Sequence, residues 1–244
     1  MMERTLVLDA LRRSPLFAGL SREALREVSA ALITQSWPLR RQIIGRSDTT
    51  GRFFLVVEGR VKISRSNAHD GRDLTLWLLG PGDGFDIVSL LDGRPHDVSA
   101  WALDEVTTLS APMAQWRDWL ERFPAFRLAV HRYVACQLRE VSELASDLAL
   151  HDTATRLAHL LLRHFDGPEP NLLHDLPQSE LASMIGTVRI VVSRVLAAMK
   201  REAIVDLRGG RIRISDLKRL LLRAERHLRS REREESGRDG RMKG

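Results

Sequence analysis

The sequence predicts an α+β protein: a β-barrel preceded by short helices, one long helix, and a C-terminal winged helix-turn-helix. Three observations predict it. From about 35 to 110, short apolar or alternating runs are separated by Gly- and Asp-containing turns at even spacing, the texture of an all-β sandwich or barrel. Residues 125–150 contain no Gly or Pro and repeat apolar side chains at spacings of 4, 4, 3, 4 and 3. Beyond 178, two helical runs flank a glycine turn and are followed by two alternating strands. The boundaries fall at 1–123 for the barrel part, 124–150 for the long helix, 151–222 for the winged helix-turn-helix, and 223–244 for a charged tail expected to be disordered.

The elements follow in order. "TLVLDALRRS" and "SREALREVSAAL" have helical periodicity, and Ser21 stands where an N-cap belongs. The strand runs are "FFLVVEG", "RVKIS", "LTLWLL", "VSAWAL" and "VTTLSAP". "MAQWRDWLERF" is a short helix, and Pro124 starts the next. In that long helix Val130, Val134, Leu138, Val141, Ala145 and Leu148 form something close to an a/d seam. Such a narrow seam packs against the helix's own barrel or against a partner helix. The simplest partner is a second copy, which predicts a symmetric homodimer. "DTATRLAHLLLRHF" is a further helix capped by Asp152 or Thr153, and "DGPEPN" is a loop. "SELASMI", a turn around Gly186 and the helix after it make the helix-turn-helix. "AIVDLRGGRIRISD" is a hairpin wing, and "DLKRLLLRAERHLRS" a last helix.

Composition narrows the function classes. The 244 residues are 43% hydrophobic and 29% charged, as in globular domains. A single cysteine, Cys136, excludes an internal disulfide framework and an iron–sulfur cluster. It fits a reducing cytoplasm, and near a dimer seam a cysteine is expected as a small buried hydrophobe. The opening residues lack the apolar core of a secretory signal, and no run is long enough to span a bilayer, so the expected location is cytoplasmic, without a membrane partner. No metal-ligand cluster, phosphate-binding loop or nucleophile motif stands out, so neither a metal nor an enzymatic activity is expected. The net charge of +6 is segregated. Residues 1–150 carry 19 basic and 19 acidic side chains, residues 151–244 carry 19 and 13. A polyanion is therefore expected to meet the C-terminal part.

"GTVRIVVSRVLAAMKREAIV" sharpens this. Val192, Val195, Leu196 and Met199 make one apolar stripe, while Arg189, Ser193, Arg194, Lys200 and Arg201 stand on the other side. Two arginines sit on the first turns, where the helix dipole disfavours cations by about 0.3–1 kcal/mol. In a helix-turn-helix that end of the second helix meets base edges in the major groove. An Arg bonded twice to guanine contributes about 1–3 kcal/mol of discrimination. The larger effect is realised only on double-stranded DNA. A ligand-sensing module whose C-terminal part makes protein contacts is the alternative, and these arginines speak against it.

The order of elements, with "LPQSELASMIGTVRIVVSRVLAAMKREAIV", "FFLVVEGRVKIS" and "LLGPGDGFDIVSLLDGRP", resembles the cyclic-AMP receptor protein/FNR family of bacterial transcription regulators over roughly residues 8–222. The resemblance implies a cyclic-nucleotide-binding-like jelly-roll barrel, a dimerisation helix, a palindromic operator and RNA polymerase as a partner, with an activator's role. It implies DNA contacts from Gln178, Ser179, Thr187, Arg189, Ile190, Ser193 and Arg194, and from Arg208 and Arg211 in the wing, with Arg213 beside them. Ile190 stands where many members carry Glu, and Pro177 where many carry Thr or Ser, so the operator is expected to differ from the common consensus.

The resemblance also implies an effector pocket from Phe85, Asp86, Ile87, Val88, Ser89 and Leu90 and from His96, Asp97, Val98 and Ser99, with Cys136 and Leu138 nearby. Members that bind cyclic AMP carry Gly-Glu and, some ten residues on, Arg-Ser or Arg-Thr. Here Asp86 and Ile87 fill the first pair. Asp97 and Val98, or His96 and Asp97 with a one-residue gap, fill the second. A phosphate beside Asp97 without a cation is repelled, so cyclic AMP is not expected. The effector is unassigned. A haem-dependent gas sensor of the same family, with His69 or His96 as ligand, is the alternative within this reading.

Overall fold

The computed structural model describes residues 2–45, 51–67, 69–164, 172–208 and 211–225. The chain divides into two compact units. The change-over lies inside the long helix, between Val141 and Ser142, and residues 72–75 are counted with the second unit.

The first unit opens with α1 (Met2–Arg13), a 3-10 turn (Pro15–Phe17) and α2 (Arg22–Ala31). Ser21 caps α2, its Oγ accepting the Ala24 N–H at 3.1 Å, an arrangement worth about 1 kcal/mol. Among the described residues eight strands follow: β1 (Ile33–Trp37), β2 (Gln42–Ile44), β3 (Arg52–Glu58), β4 (Val61–Ser66), β5 (Asp73–Leu79), β6 (Gly84–Phe85), β7 (Ser99–Ala102) and β8 (Val106–Pro112). They form two four-stranded sheets, ordered β1-β8-β3-β6 and β2-β7-β4-β5.

The run "FFLVV" explains why β3 lies inside its sheet. Phe54 and Val56 join a core that also takes Ile63, Leu79, Phe85 and Ala100 from both sheets. Phe53 and Leu55 point the other way, into a second core built with Leu11, Leu16, Trp116, Trp119 and Phe126. Strict alternation puts the two sets on opposite faces. That outer core is aromatic: Trp116 meets Phe53 at 4.7 Å and Trp119 at 5.0 Å between ring centres, both edge-on. Helices α3 (Ile87–Asp92), α4 (Met113–Arg122) and α5 (Pro124–Leu150) complete the elements around the barrel.

The apolar seam expected along α5 divides. Val130 is 1% exposed within the outer core, and Val134 packs against it. These two belong to their own barrel, not to a partner helix. Leu138 is 66% and Leu128 50% exposed, and Ala135 and Ala145 are exposed as well. The open apolar stripe is thus rotated around the helix from the one the sequence suggested. Val141 is half-buried.

The second unit contains the end of α5, then α6 (Thr153–Arg163), α7 (Gln178–Met184), α8 (Arg189–Arg201) and the hairpin β9 (Val205–Arg208) and β10 (Arg211–Ile214), followed by helix from 217 to 225. Asp152 caps α6, accepting the Thr155 N–H at 2.8 Å. α7 and α8 meet at 101°. Gly186 makes that turn with φ +62°, and a Cβ there would come within 2.5 Å of Leu148. Both the backbone conformation and the space require glycine. Leu148, expected in the dimer seam, instead packs under this turn. Val192, Leu196 and Met199 are the buried stripe of α8, while Val195 is half-buried. In the wing Arg211 pairs with Arg208 in register and Ile214 with Val205. The loop "DGPEPN", the Gly-Gly turn of the wing and the tail beyond 225 lie outside the described residues. No single described helix is long and apolar enough to cross a membrane.

Candidate functional site

The first candidate surface is the start of α8. Arg189, Ile190, Ser193 and Arg194 are all exposed, Ile190 by 67%. Their spacing puts them on neighbouring positions of one helix face. The N-cap is Val188, which offers no side-chain hydrogen bond. A helix that begins without a cap leaves backbone N–H groups open to an anion. Among the described residues no acid pairs with Arg189 or Arg194. The wing differs. Arg208 Nε lies 2.6 Å from Asp206, and Arg211 Nε lies 3.2 Å from Asp175. Arg213 is exposed. Ser179 is exposed and Gln178 half-buried in the first turn of α7, where Pro177 supplies no side-chain cap. Thr187 is half-buried, and its N–H bonds the Ala182 carbonyl at 2.9 Å. The start of α8 thus presents two guanidinium groups with no acidic partner among the described residues, while Arg208 and Arg211 of the wing already have partners.

The second candidate surface is the barrel cassette. A cavity of about 20 Å3 is lined by Ile44, Ile63, Trp77, Leu79, Phe85, Asp86, Ile87, Val88, His96, Val98, Ala100 and Gln137. It has room for about one water molecule. Six of the ten expected pocket residues line it. Ser89, Leu90, Asp97 and Ser99 do not. Ser89 donates to Asp86 at 2.6 Å, Leu90 is buried in the outer core, and Ser99 is buried on β7. Asp97 has a cation after all: Arg65 on β4 lies 3.0 Å away. The sequence could not show this, because the two positions are 32 residues apart. The α5 residue at the cavity is Gln137, not Cys136 or Leu138. Within the single chain Cys136 is exposed.

Asp86 is the titratable centre of the cassette. It adopts φ 69° at the start of α3. Burial, opposed by the Ser89 hydrogen bond, pushes its pKa up to about 6. The folded pKa lies above the unfolded one. The stability tied to the neutral form is therefore complete below about 4 and lost as pH rises through about 6. Asp86→Asn keeps a residue tolerant of positive φ and removes the charge. It is expected to stabilise the protein above pH 6 by about 1–2 kcal/mol, discounted for partial exposure, and to change little at pH 4. Melting curves at the two pH values check this; equal shifts at both would contradict the assignment. His96 lies below its ordinary pKa through burial and the nearby Arg65, so it is neutral near pH 7. His69 is exposed in the turn after β4 and does not line the cavity.

A third cluster was not legible as a site in the sequence. At the end of α5 and on α6, Asp147, His151 and His159 bring one donor atom each to within 4.8 Å of one another. The signal was present as Asp147 and His151 one helical turn apart, but His159 belongs to the next helix.

Comparison with known proteins fits this geometry. A cyclic nucleotide-binding domain model matches residues 35–123, and a Crp-like helix-turn-helix domain model matches residues 155–223. A CRP-like cAMP-activated global transcriptional regulator of Mycobacterium tuberculosis is 30% identical over 222 residues, covering 88% of this chain and 99% of that one. A cyclic AMP receptor protein of Thermus thermophilus is 30% identical over 207 residues, covering 84% and 94%. The c-di-GMP-responsive regulator CLP of Xanthomonas campestris superposes with a TM-score of 0.70 at 19% identity, over 80% of this chain and all of that one, which supports the fold. With a barrel in one unit, an exposed arginine pair on a glycine-turned helix in the other, and relatives matched almost end to end, the chain belongs to the Crp/Fnr family of DNA-binding transcription regulators.

Proposed function

We propose that this regulator acts as a cytoplasmic homodimer on a palindromic operator, and that its barrel does not answer to cyclic nucleotides. In this reading α8 lies in the major groove with Arg189, Ile190, Ser193 and Arg194 toward the bases. Gln178, Ser179, Thr187, Arg208 and Arg211 hold the backbone. Dimerisation through the exposed stripe of α5 places two such helices on two half-sites. RNA polymerase is the partner expected of an activator of this kind.

The observation that carries the effector reading is the charge of the cassette. The cavity offers Asp86 and a neutral His96, and no cation among the described residues lines it. Arg65, the cation nearby, is engaged by Asp97. A cyclic phosphate would have to displace that carboxylate and then lie beside it, at a Coulomb penalty of about 1–4 kcal/mol for like charges 4 Å apart near a surface. The two relatives named for cyclic AMP therefore do not pass that property to this chain. Haem fits no better: His96 borders a space for about one water, and His69 is on an exposed turn.

The test is a melting curve and a DNA titration with millimolar cyclic AMP or cyclic GMP. Neither is expected to change. A ligand at 100 times its Kd would stabilise the native state by about 2.7 kcal/mol, a rise of several degrees at this size. Such a rise with either nucleotide would overturn the reading.

A further inference from the structure

We propose that Asp147, His151 and His159 bind a divalent transition-metal ion of the Zn2+ type, clasping the end of α5 to α6. The backbone sets up the first two ligands. α5 keeps its helical hydrogen bond to the end, the His151 N–H meeting the Asp147 carbonyl at 3.1 Å. Asp147 and His151 are thus one turn apart on one face. Asp152 then caps α6 at 2.8 Å and starts the helix that carries His159.

The donor atoms already converge. All three lie within 4.8 Å of one another, with His159 Nδ1 2.7 Å from Asp147 Oδ1. Donors bound to Zn2+ at about 2.0–2.2 Å in a tetrahedron sit some 3.3–3.6 Å apart, so the closest pair opens slightly and the widest closes. Two imidazoles and one carboxylate suit Zn2+, Ni2+, Co2+ or Fe2+, and not Mg2+ or Ca2+, which take oxygen ligands.

The surroundings are those of a supported ligand set. The Asp147 side chain is only 9% exposed, and Arg163 holds its other oxygen at 3.1 Å. That contact orients the carboxylate and leaves Oδ1 for the ion. The site opens on a surface groove of about 430 Å3 whose wall includes Glu143, one turn before Asp147. Glu143 or water completes the coordination.

Asp147, His159 and Arg163 alone would make a closed polar clamp. His151 stands beside that clamp, its ring edge-on to His159 at 5.0 Å between centres, so three potential donors converge. A metal ion uses all three.

The experiment uses the full-length protein, stripped with EDTA and titrated with Zn2+ by calorimetry, and separately with Co2+ followed by its visible absorption. The expected result is one high-affinity Zn2+ per chain and a higher melting temperature. Co2+ should give the intense visible bands of four- or five-coordination. His151→Ala leaves the clamp of Asp147, His159 and Arg163 in place, so it should fold normally yet bind Zn2+ at least tenfold more weakly and lose the Co2+ bands. His159→Gln should do the same. No saturable binding, or stoichiometry and affinity unchanged in both variants, would overturn the proposal and leave the cluster as a polar clamp.

Discussion

Arg194→Ala is expected to weaken binding to the operator by roughly 1–3 kcal/mol per half-site, about fivefold to 150-fold, and to relax selectivity at one base pair in each half. The size follows from what the side chain leaves behind. Arg194 is exposed and has no acidic partner among the described residues, so its removal costs the free protein almost nothing. The loss falls on the complex. Arg189→Ala should act likewise at a different base pair. Wing substitutions serve as the contrast. Arg208 is already held by Asp206 at 2.6 Å and Arg211 by Asp175 at 3.2 Å, so each would exchange one anion for another on binding phosphate. Their alanine variants should weaken all sequences alike, modestly, and flatten the salt dependence by about one unit of slope. The measurement is fluorescence anisotropy on an operator selected from random-sequence DNA, repeated with single-base variants at several salt concentrations. An Arg194→Ala protein with unchanged affinity and selectivity would take α8 out of the groove.

The parts of this molecule that were legible in advance are those written locally. Ser21 and Asp152 cap the helices they precede because capping depends on residues three apart. Gly186 marks the turn because both its φ and the Leu148 methyl exclude a side chain. The barrel strands were visible as apolar runs between turns. What escaped depends on the direction a side chain takes or on distant partners. Val130, Val134 and Leu138 share a repeat of four, yet the first two face their own barrel and the third faces solvent. A helix with 3.6 residues per turn drifts about 40° for every four residues, enough over two steps to carry a stripe from core to surface. The Arg65–Asp97 pair joins β4 to the segment after α3, and only the folded barrel brings them to 3.0 Å. The motif columns suggested that Asp97 had no cation beside it, and there the sequence misled: Arg65 is present, on a strand 32 residues away, and Asp97 holds it.

Leu138→Asp is expected to convert the protein to a monomer at micromolar concentration. Leu138 is 66% exposed in the single chain, and Leu128, Ala135 and Ala145 extend the same open stripe along α5. In a two-fold dimer each residue near the axis faces its own copy. An aspartate there would place two like charges together while burying both, and repulsion and desolvation act in the same direction. The isolated fold should barely notice, since the side chain contributes little to its own core. That separates the effect from misfolding: the melting curve extrapolated to the monomer stays close to that of the parent, whereas Val130→Asp, at 1% exposure, should unfold the barrel. Loss of the dimer also uncouples the two half-sites. Linked binding gains about 10²–10⁴ over a single site, so affinity for the palindrome should fall by that order even though every base contact is intact. Sedimentation velocity reads the assembly and anisotropy the affinity. A Leu138→Asp protein that sediments as a dimer would move the interface off this stripe, and one that is monomeric yet binds the palindrome as before would show that dimerisation is not what positions α8.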